Sequence, residues 1–209
     1  MRFGFKNFRS RKRQAIREQA EFIRQSLGDK SIVLVGLMGA GKTSVGRRLA
    51  ARLNLPFTDA DKEIEIAAGQ TIGEIFSEHG EAYFRDGERR VIERLLNNGP
   101  QILATGGGAY INQEIRDNII DHGISVWLRA NLETLMERTS RRDHRPLLKT
   151  GDPKTVMQHL IEERYPVYAE ADITIKSRKV PHDVIVDEIA SALKQKFDGN
   201  ADAPAQGLK

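Results

Sequence analysis

Residues 36–43 read Gly36-Leu37-Met38-Gly39-Ala40-Gly41-Lys42-Thr43: a glycine, four residues, then Gly-Lys-Thr. The flanks give the pattern its meaning. Residues 32–35, Ile-Val-Leu-Val, read as a buried strand before it, and 44–53 as a helix after it. Between a strand and a helix, glycines let the backbone curl until successive N–H groups face one anion, and the helix adds the positive end of its dipole. Lys42 would then reach the β- and γ-phosphates of a nucleoside triphosphate, and the Thr43 hydroxyl would ligate Mg²⁺. An ordinary glycine-rich turn has no need of a lysine beside a hydroxyl residue at the start of a helix. The stretch predicts a nucleoside triphosphate site.

Outward from this loop, short apolar runs alternate with helical periods, the pattern of a parallel sheet covered by helices. Further strands are expected at 55–58, 101–104, 125–128 and 173–175. Helices are expected at 62–68, 72–78, 81–96 after a break at Gly80, 112–121, 132–140, 155–169 despite Pro166, and 184–194. Residues 141–153 are polar, basic and interrupted by Pro146 and Gly151, and read as a mobile loop. Residues 198–209, rich in Ala, Gly and Asp, read as a disordered tail.

A chain of 209 residues suits one domain with a sizeable core. Without cysteine it can hold neither a disulfide nor a thiolate metal site, which fits a cytoplasmic protein. No apolar run approaches the roughly 18 residues of a membrane span. The net charge of +4 suggests nucleic-acid binding only until it is divided. Residues 1–30 hold nine Lys or Arg against three Asp or Glu, a balance of +6 that leaves −2 for residues 31–209. The domain body is slightly acidic, and no nucleic-acid partner is expected. Within the basic extension, Ile16, Ala20, Ile23 and Leu27 fall on one helical face that could dock on a partner, a membrane surface or the body itself. The plainest reading is a solvated basic extension, partly helical, ahead of a domain over 31–197.

Ligands of open α/β sheets bind outside the carboxyl ends of the strands, so the residues following each strand carry the argument. After the second strand come Asp59 and Asp61, two carboxylates beside a triphosphate site. Such charge is unfavourable there unless a cation or an exchangeable proton is involved. Either Mg²⁺ or an acceptor hydroxyl would answer, and one of the two could simply cap the next helix. After the third strand comes Gly106-Gly107-Gly108, where a ligand could lie against main-chain N–H groups. Arg85, Arg145 and Arg164 each stand beside a ring residue in a helix or loop that could overhang the sheet, and arginine grips carboxylate or phosphate in a bidentate manner.

Taken together these residues resemble the shikimate kinases. The matching elements are the loop 36–43 with Gly46-Arg47 downstream, Asp59-Ala60-Asp61, Phe84-Arg85 after Gly80-Glu81, Gly106-Gly107-Gly108, Arg145-Pro146-Leu147-Leu148, and Arg164-Tyr165-Pro166-Val167-Tyr168. The resemblance implies a P-loop, nucleoside-monophosphate-kinase-like three-layer sandwich with five parallel strands in the order 2-3-1-4-5 and a mobile lid. It implies MgATP-dependent phosphorylation of the 3-hydroxyl of shikimate, a step of aromatic amino-acid biosynthesis, by a monomer. Carried over by position, Gly39, Ala40, Gly41, Lys42, Thr43 and Ser44 bind the phosphates of ATP, Thr43 binds Mg²⁺, and Asp59 holds the water shell of the metal. Asp61 is the candidate base, Arg85 and Arg164 clamp the shikimate carboxylate, and Gly106, Gly107 and Gly108 contact its ring. Arg145 belongs to the lid and faces the transferring phosphate, while Arg138 and Pro181 sandwich adenine. Ala104 departs from the pattern, because some members carry a hydroxyl residue there. Two rivals stay open at this point: a kinase of the same architecture for another small acceptor, and a nucleotide-dependent switch.

Overall fold

The computed structural model describes residues 3–140 and 152–201 and builds them around one sheet. Its strands are β1 (Ser31–Val35), β2 (Phe57–Asp59), β3 (Ile102–Ala104), β4 (Gly123–Arg129) and β5 (Ile173–Lys176). They are parallel neighbours in the order β2-β3-β1-β4-β5, the expected topology. Register pairs Leu34 of β1 with Ala104 on one side and Val126 on the other, which brings the carboxyl ends of the central strands level. All five residues of β1 are buried, as a strand covered on both faces requires.

The helices are α1 (Phe3–Leu27), α2 (Lys42–Leu53), α3 (Ala60–Ala68), α4 (Ile72–Leu96), α5 (Gln113–His122), α6 (Leu132–Thr139), α7 (Pro153–Tyr168) and α8 (His182–Ala201). In α2, Val45, Leu49 and Leu53 recur every fourth residue and are buried, so this face pins the helix that follows the phosphate loop. Each such side chain contributes about 1.5–3 kcal/mol of burial. Thr71 and Glu74 form a reciprocal capping box at the start of α4. The helix is broken at Gly80, whose φ of 80° and ψ of 177° are non-helical, at the break expected from sequence.

Two expectations change. Residues 198–201, assigned to a disordered tail, continue α8, whose apolar positions Ile185, Ile189 and Leu193 hold it on the body; residues 202–209 lie outside the described residues. The N-terminal extension is not simply solvated: α1 packs on α8 and α2 through Ala20, Ile23 and Leu27. Arg52 of α2 completes that junction, lying 3.3 Å from Asp187 of α8 and donating to Gln19 of α1 at 3.4 Å. Arg11, Lys12, Arg13 and Arg17 remain exposed beyond the docked part. Among the described residues no helix is long and apolar enough to cross a membrane.

Candidate active site

The loop between β1 and α2 turns through Gly39 at φ 82° and Gly41 at φ 100°, backbone conformations that favour glycine. Gly41 is the N-cap of α2, and Lys42 is its first residue. The Lys42 ammonium lies across the loop, donating to the Gly36 carbonyl at 2.6 Å and the Leu37 carbonyl at 3.1 Å. Thr43 follows, with its hydroxyl donating to Asp59 Oδ2 at 2.9 Å. Asp59 occupies the N-cap position of α3 but makes no side-chain cap, so capping is not what holds its carboxylate. Ser44 is half-buried in the first turn of α2.

The glycine run after β3 abuts side chains of α3, α4 and α7 and the backbone of the phosphate loop. A methyl carbon on Gly106 would lie 2.7 Å from Glu88 Oε1 and 2.8 Å from Asp61 Oδ1. On Gly108 it would lie 2.7 Å from Arg85 Nη2. On Gly107 it would lie 3.2 Å from the Met38 N of the phosphate loop, and the Gly107 carbonyl accepts from Arg164 Nη1 at 3.1 Å. These glycines are therefore needed first to admit the protein's own carboxylates, guanidinium and loop backbone, rather than a ligand alone. Asp61, Arg85, Arg164 and the glycine run thus come together beside the phosphate loop.

Glu88 was not among the residues expected in the site. It is 1 % exposed and accepts from Arg85 Nη1 at 2.7 Å, while its Oε1 has no hydrogen-bond partner among the described residues. Burial, opposed by Arg85 and reinforced by nearby Asp61, pushes its carboxyl above the usual range. A signal was available in the sequence: Phe84, Glu88 and Ile92 are four apart, which sets a carboxylate in the apolar stripe of a helix. Arg85 is further held by Glu81 at 3.1 Å, so its guanidinium is fixed before any ligand arrives.

On the other side of the loop, Arg138 near the end of α6 donates to the carbonyls of Gly39 and Ala40, both at 3.3 Å, to Ser177 Oγ at 2.9 Å and to the Arg178 carbonyl at 2.8 Å. Ser177, 3 % exposed, donates in turn to the Ala40 carbonyl at 2.8 Å. The guanidinium braces the phosphate loop against the segment after β5, and burial lowers its proton affinity. Pro181 lies exposed on that segment, just before α8, where its carbonyl accepts from the Val184 N–H. Arg145 lies outside the described residues. Thr105, next to Ala104, does not supply a hydroxyl to the site, because it donates to the Leu34 carbonyl.

Residues 38–194 match the family model described as shikimate kinase. The chain belongs to the shikimate kinase family. It is 58 % identical over 176 residues to a shikimate kinase of Rhodopseudomonas palustris, covering 84 % of this chain and 86 % of that one. It is 52 % identical over 194 residues to a shikimate kinase of Brucella canis, covering 93 % of this chain and 97 % of the relative. That alignment omits only 15 of 209 residues, so it takes in at least half of the first 30, and part of the basic extension is shared with this relative. Among solved structures, the shikimate kinase of Acinetobacter baumannii in complex with shikimate superposes with a TM-score of 0.74 at 38 % identity, over 83 % of this chain and 96 % of that one. Family membership removes the nucleotide switch as a rival and makes this shikimate kinase family member an ATP-using enzyme.

Proposed function

We infer that the protein transfers the γ-phosphoryl group of ATP to the 3-hydroxyl of shikimate, giving shikimate 3-phosphate and ADP. One observation carries the acceptor assignment: the run Gly106 to Gly108 touches Asp61, Arg85, Arg164 and the phosphate loop at once. Two arginines, a carboxylate and exposed main chain suit a small carboxylic acid bearing several hydroxyls. Arg164 Nε is buried without a partner among the described residues, and an anion would satisfy it. Arg85 and Arg164 clamp the carboxylate, and Gly106 to Gly108 line the ring. Asp61 accepts the proton of the hydroxyl as its oxygen bonds to the γ-phosphorus and the bond to the β,γ-bridging oxygen breaks, with ADP leaving. Lys42 and the loop amides hold the phosphates, Arg138 and Pro181 the adenine, and Arg145 closes over the transferring group.

The pair Thr43–Asp59 fits Mg²⁺, since this ion takes a hydroxyl or one or two carboxylates and completes its shell with water and substrate phosphates. No cluster of three or more His, Cys, Asp or Glu exists among the described residues, in keeping with a metal held largely by the nucleotide. Thr43 would bind it directly and Asp59 through water. Bound there, Mg²⁺ would neutralise charge on the β- and γ-phosphate oxygens.

We assign residues 31–197 to the kinase domain, with 1–30 as a basic extension docked by α1, and place the enzyme in the cytoplasm as a monomer. ADP release with MgATP, measured with shikimate, with gluconate and with no acceptor, tests the reaction. Release that depends on shikimate is expected. Release indifferent to the acceptor would remove the roles given to Asp61, Arg85 and Arg164. Sedimentation of the full chain tests the monomer.

A further inference from the structure

Four residues after Arg164 on α7, and so on the same helical face, stands Tyr168. It is fully buried at 0 % exposure, its ring packed by Trp127 at 5.9 Å and Tyr110 at 6.1 Å between centroids. Its hydroxyl donates to the carbonyl of Gly107, the same oxygen that accepts from Arg164 at 3.1 Å. The two donors fill both lone pairs of that carbonyl. On its other side Gly107 abuts the phosphate loop at Met38. Tyr165, one turn earlier, cannot substitute, because its hydroxyl is committed to the Ala130 carbonyl. Burial drives the Tyr168 phenol far above its ordinary value, so its proton is retained at any working pH.

We propose that Tyr168 is a positioning residue for the acceptor: its hydroxyl holds Gly107, and with it the glycine run, in place when Arg164 turns its donors to the acceptor's carboxylate. The proposal rests on the reading of Arg164 and the glycine run given above. Arg164 Nε, without a partner among the described residues, is open to the carboxylate, and any turn of the guanidinium toward it weakens the 3.1 Å contact of Nη1 with Gly107. Tyr168 is fully buried, and its hydroxyl, which also meets the Arg164 guanidinium, keeps its own bond to the Gly107 carbonyl. The glycine run thereby keeps its spacing from the phosphate loop in the free and the loaded enzyme.

Tyr168→Phe in the full chain keeps the ring and removes only the hydroxyl. Steady-state ADP release should show the KM for shikimate raised about 5- to 20-fold, as for a lost buried hydrogen bond. The KM for ATP should stay within about twofold, because the contacts of Lys42 to the Gly36 and Leu37 carbonyls do not involve Tyr168. Fluorescence of Trp127, the single tryptophan, should report the same weakening when shikimate is titrated without nucleotide. A merely structural tyrosine would lower the melting temperature and the active fraction while leaving the two KM values in their wild-type ratio, and that result overturns the proposal. So does a shikimate KM within twofold of wild type. Wild-type enzyme that lacks shikimate-dependent release would overturn the functional reading and this proposal together.

Discussion

Gly106→Ala puts a methyl carbon 2.7 Å from Glu88 Oε1 and 2.8 Å from Asp61 Oδ1. Ordinary contact begins at 3.4 Å, so each oxygen is about 0.6–0.7 Å too close. Gly106 is not among the residues at positive φ, so alanine fits the backbone and the perturbation is purely steric. Glu88 has little room to retreat, being 1 % exposed and tied to Arg85 at 2.7 Å. Asp61, half-buried at the crevice, must yield. Misplacing a catalytic group by about 1 Å costs about 10²-fold in rate, so a shift of about 0.6 Å should lower kcat roughly 10- to 20-fold. The assay is ADP release at saturating shikimate and MgATP, with a melting curve to verify that the variant is folded. The KM for ATP should change less than about twofold, since the atoms that the methyl group meets belong to Glu88 and Asp61 and not to the phosphate loop. A folded variant with kcat within twofold of wild type would refute both the placement of Asp61 against Gly106 and its part in the reaction.

Asp61→Asn should lower turnover by about 10²- to 10⁴-fold with ATP binding nearly intact, as for a lost proton acceptor, and calorimetric titration with the nucleotide separates the two. Asp172 should give an acid-sensitive stability term. Burial would raise its carboxyl, but the Ser125 N–H and hydroxyl, at 2.9 and 2.8 Å, and the Lys196 ammonium at 3.0 Å hold it below the usual range. Its contribution is therefore present above the ordinary carboxylate value and lost as pH falls through the depressed one. With a third of the side chain exposed, Asp172→Asn should cost about 1 kcal/mol in urea denaturation at pH 7 and progressively less as the pH is lowered below the ordinary carboxylate value, and a cost that does not fall with pH would contradict the assignment. Ile23→Ala, at a position with 0 % exposure, should cost about 2–4 kcal/mol in the same measurement, whereas a change below about 0.5 kcal/mol would mean that α1 is not docked.

The phosphate loop was legible because it is local: glycines at fixed spacing, then Lys42 and Thr43, between a strand and a helix. Strand order followed from the resemblance rather than from periodicity, which fixes elements but not their neighbours. Asp59 and Asp61 could be placed near the phosphates because strand ends are also local. What each one touches could not, since Asp59 meets Thr43 across 16 positions and Asp61 meets a glycine 45 positions away; the roles given them came from the resemblance. The same limit hid Glu88, one charged residue among many until the fold turns the Phe84–Ile92 stripe inward. It also hid Arg138 as a brace, because its four acceptors come from two segments far from it in sequence, residues 39–40 and 177–178. The docking of α1 was visible as an apolar stripe, but a stripe does not name what covers it, and only α8 and α2 supply the answer.

The strand order itself explains how two substrates are brought to one point. β1 lies between β3 and β4, so chain leaving its carboxyl end has the ends of β2 and β3 on one side and those of β4 and β5 on the other. Asp59, Asp61 and the glycine run arrive from the first side; Arg138, through α6, and the segment carrying Ser177 and Pro181 arrive from the second. The phosphate loop is shared by both groups, touched by Gly107 at Met38 and by Arg138 and Ser177 at Ala40. Helix α7 is the exception that joins the halves. It lies in sequence between β4 and β5 yet sends Arg164 and Tyr168 to Gly107 after β3, and it begins directly after residues 141–151, where Arg145 stands. The glycine run is thus fixed by a helix from the β4–β5 side of the sheet, so both halves of the fold set its position against the phosphate loop.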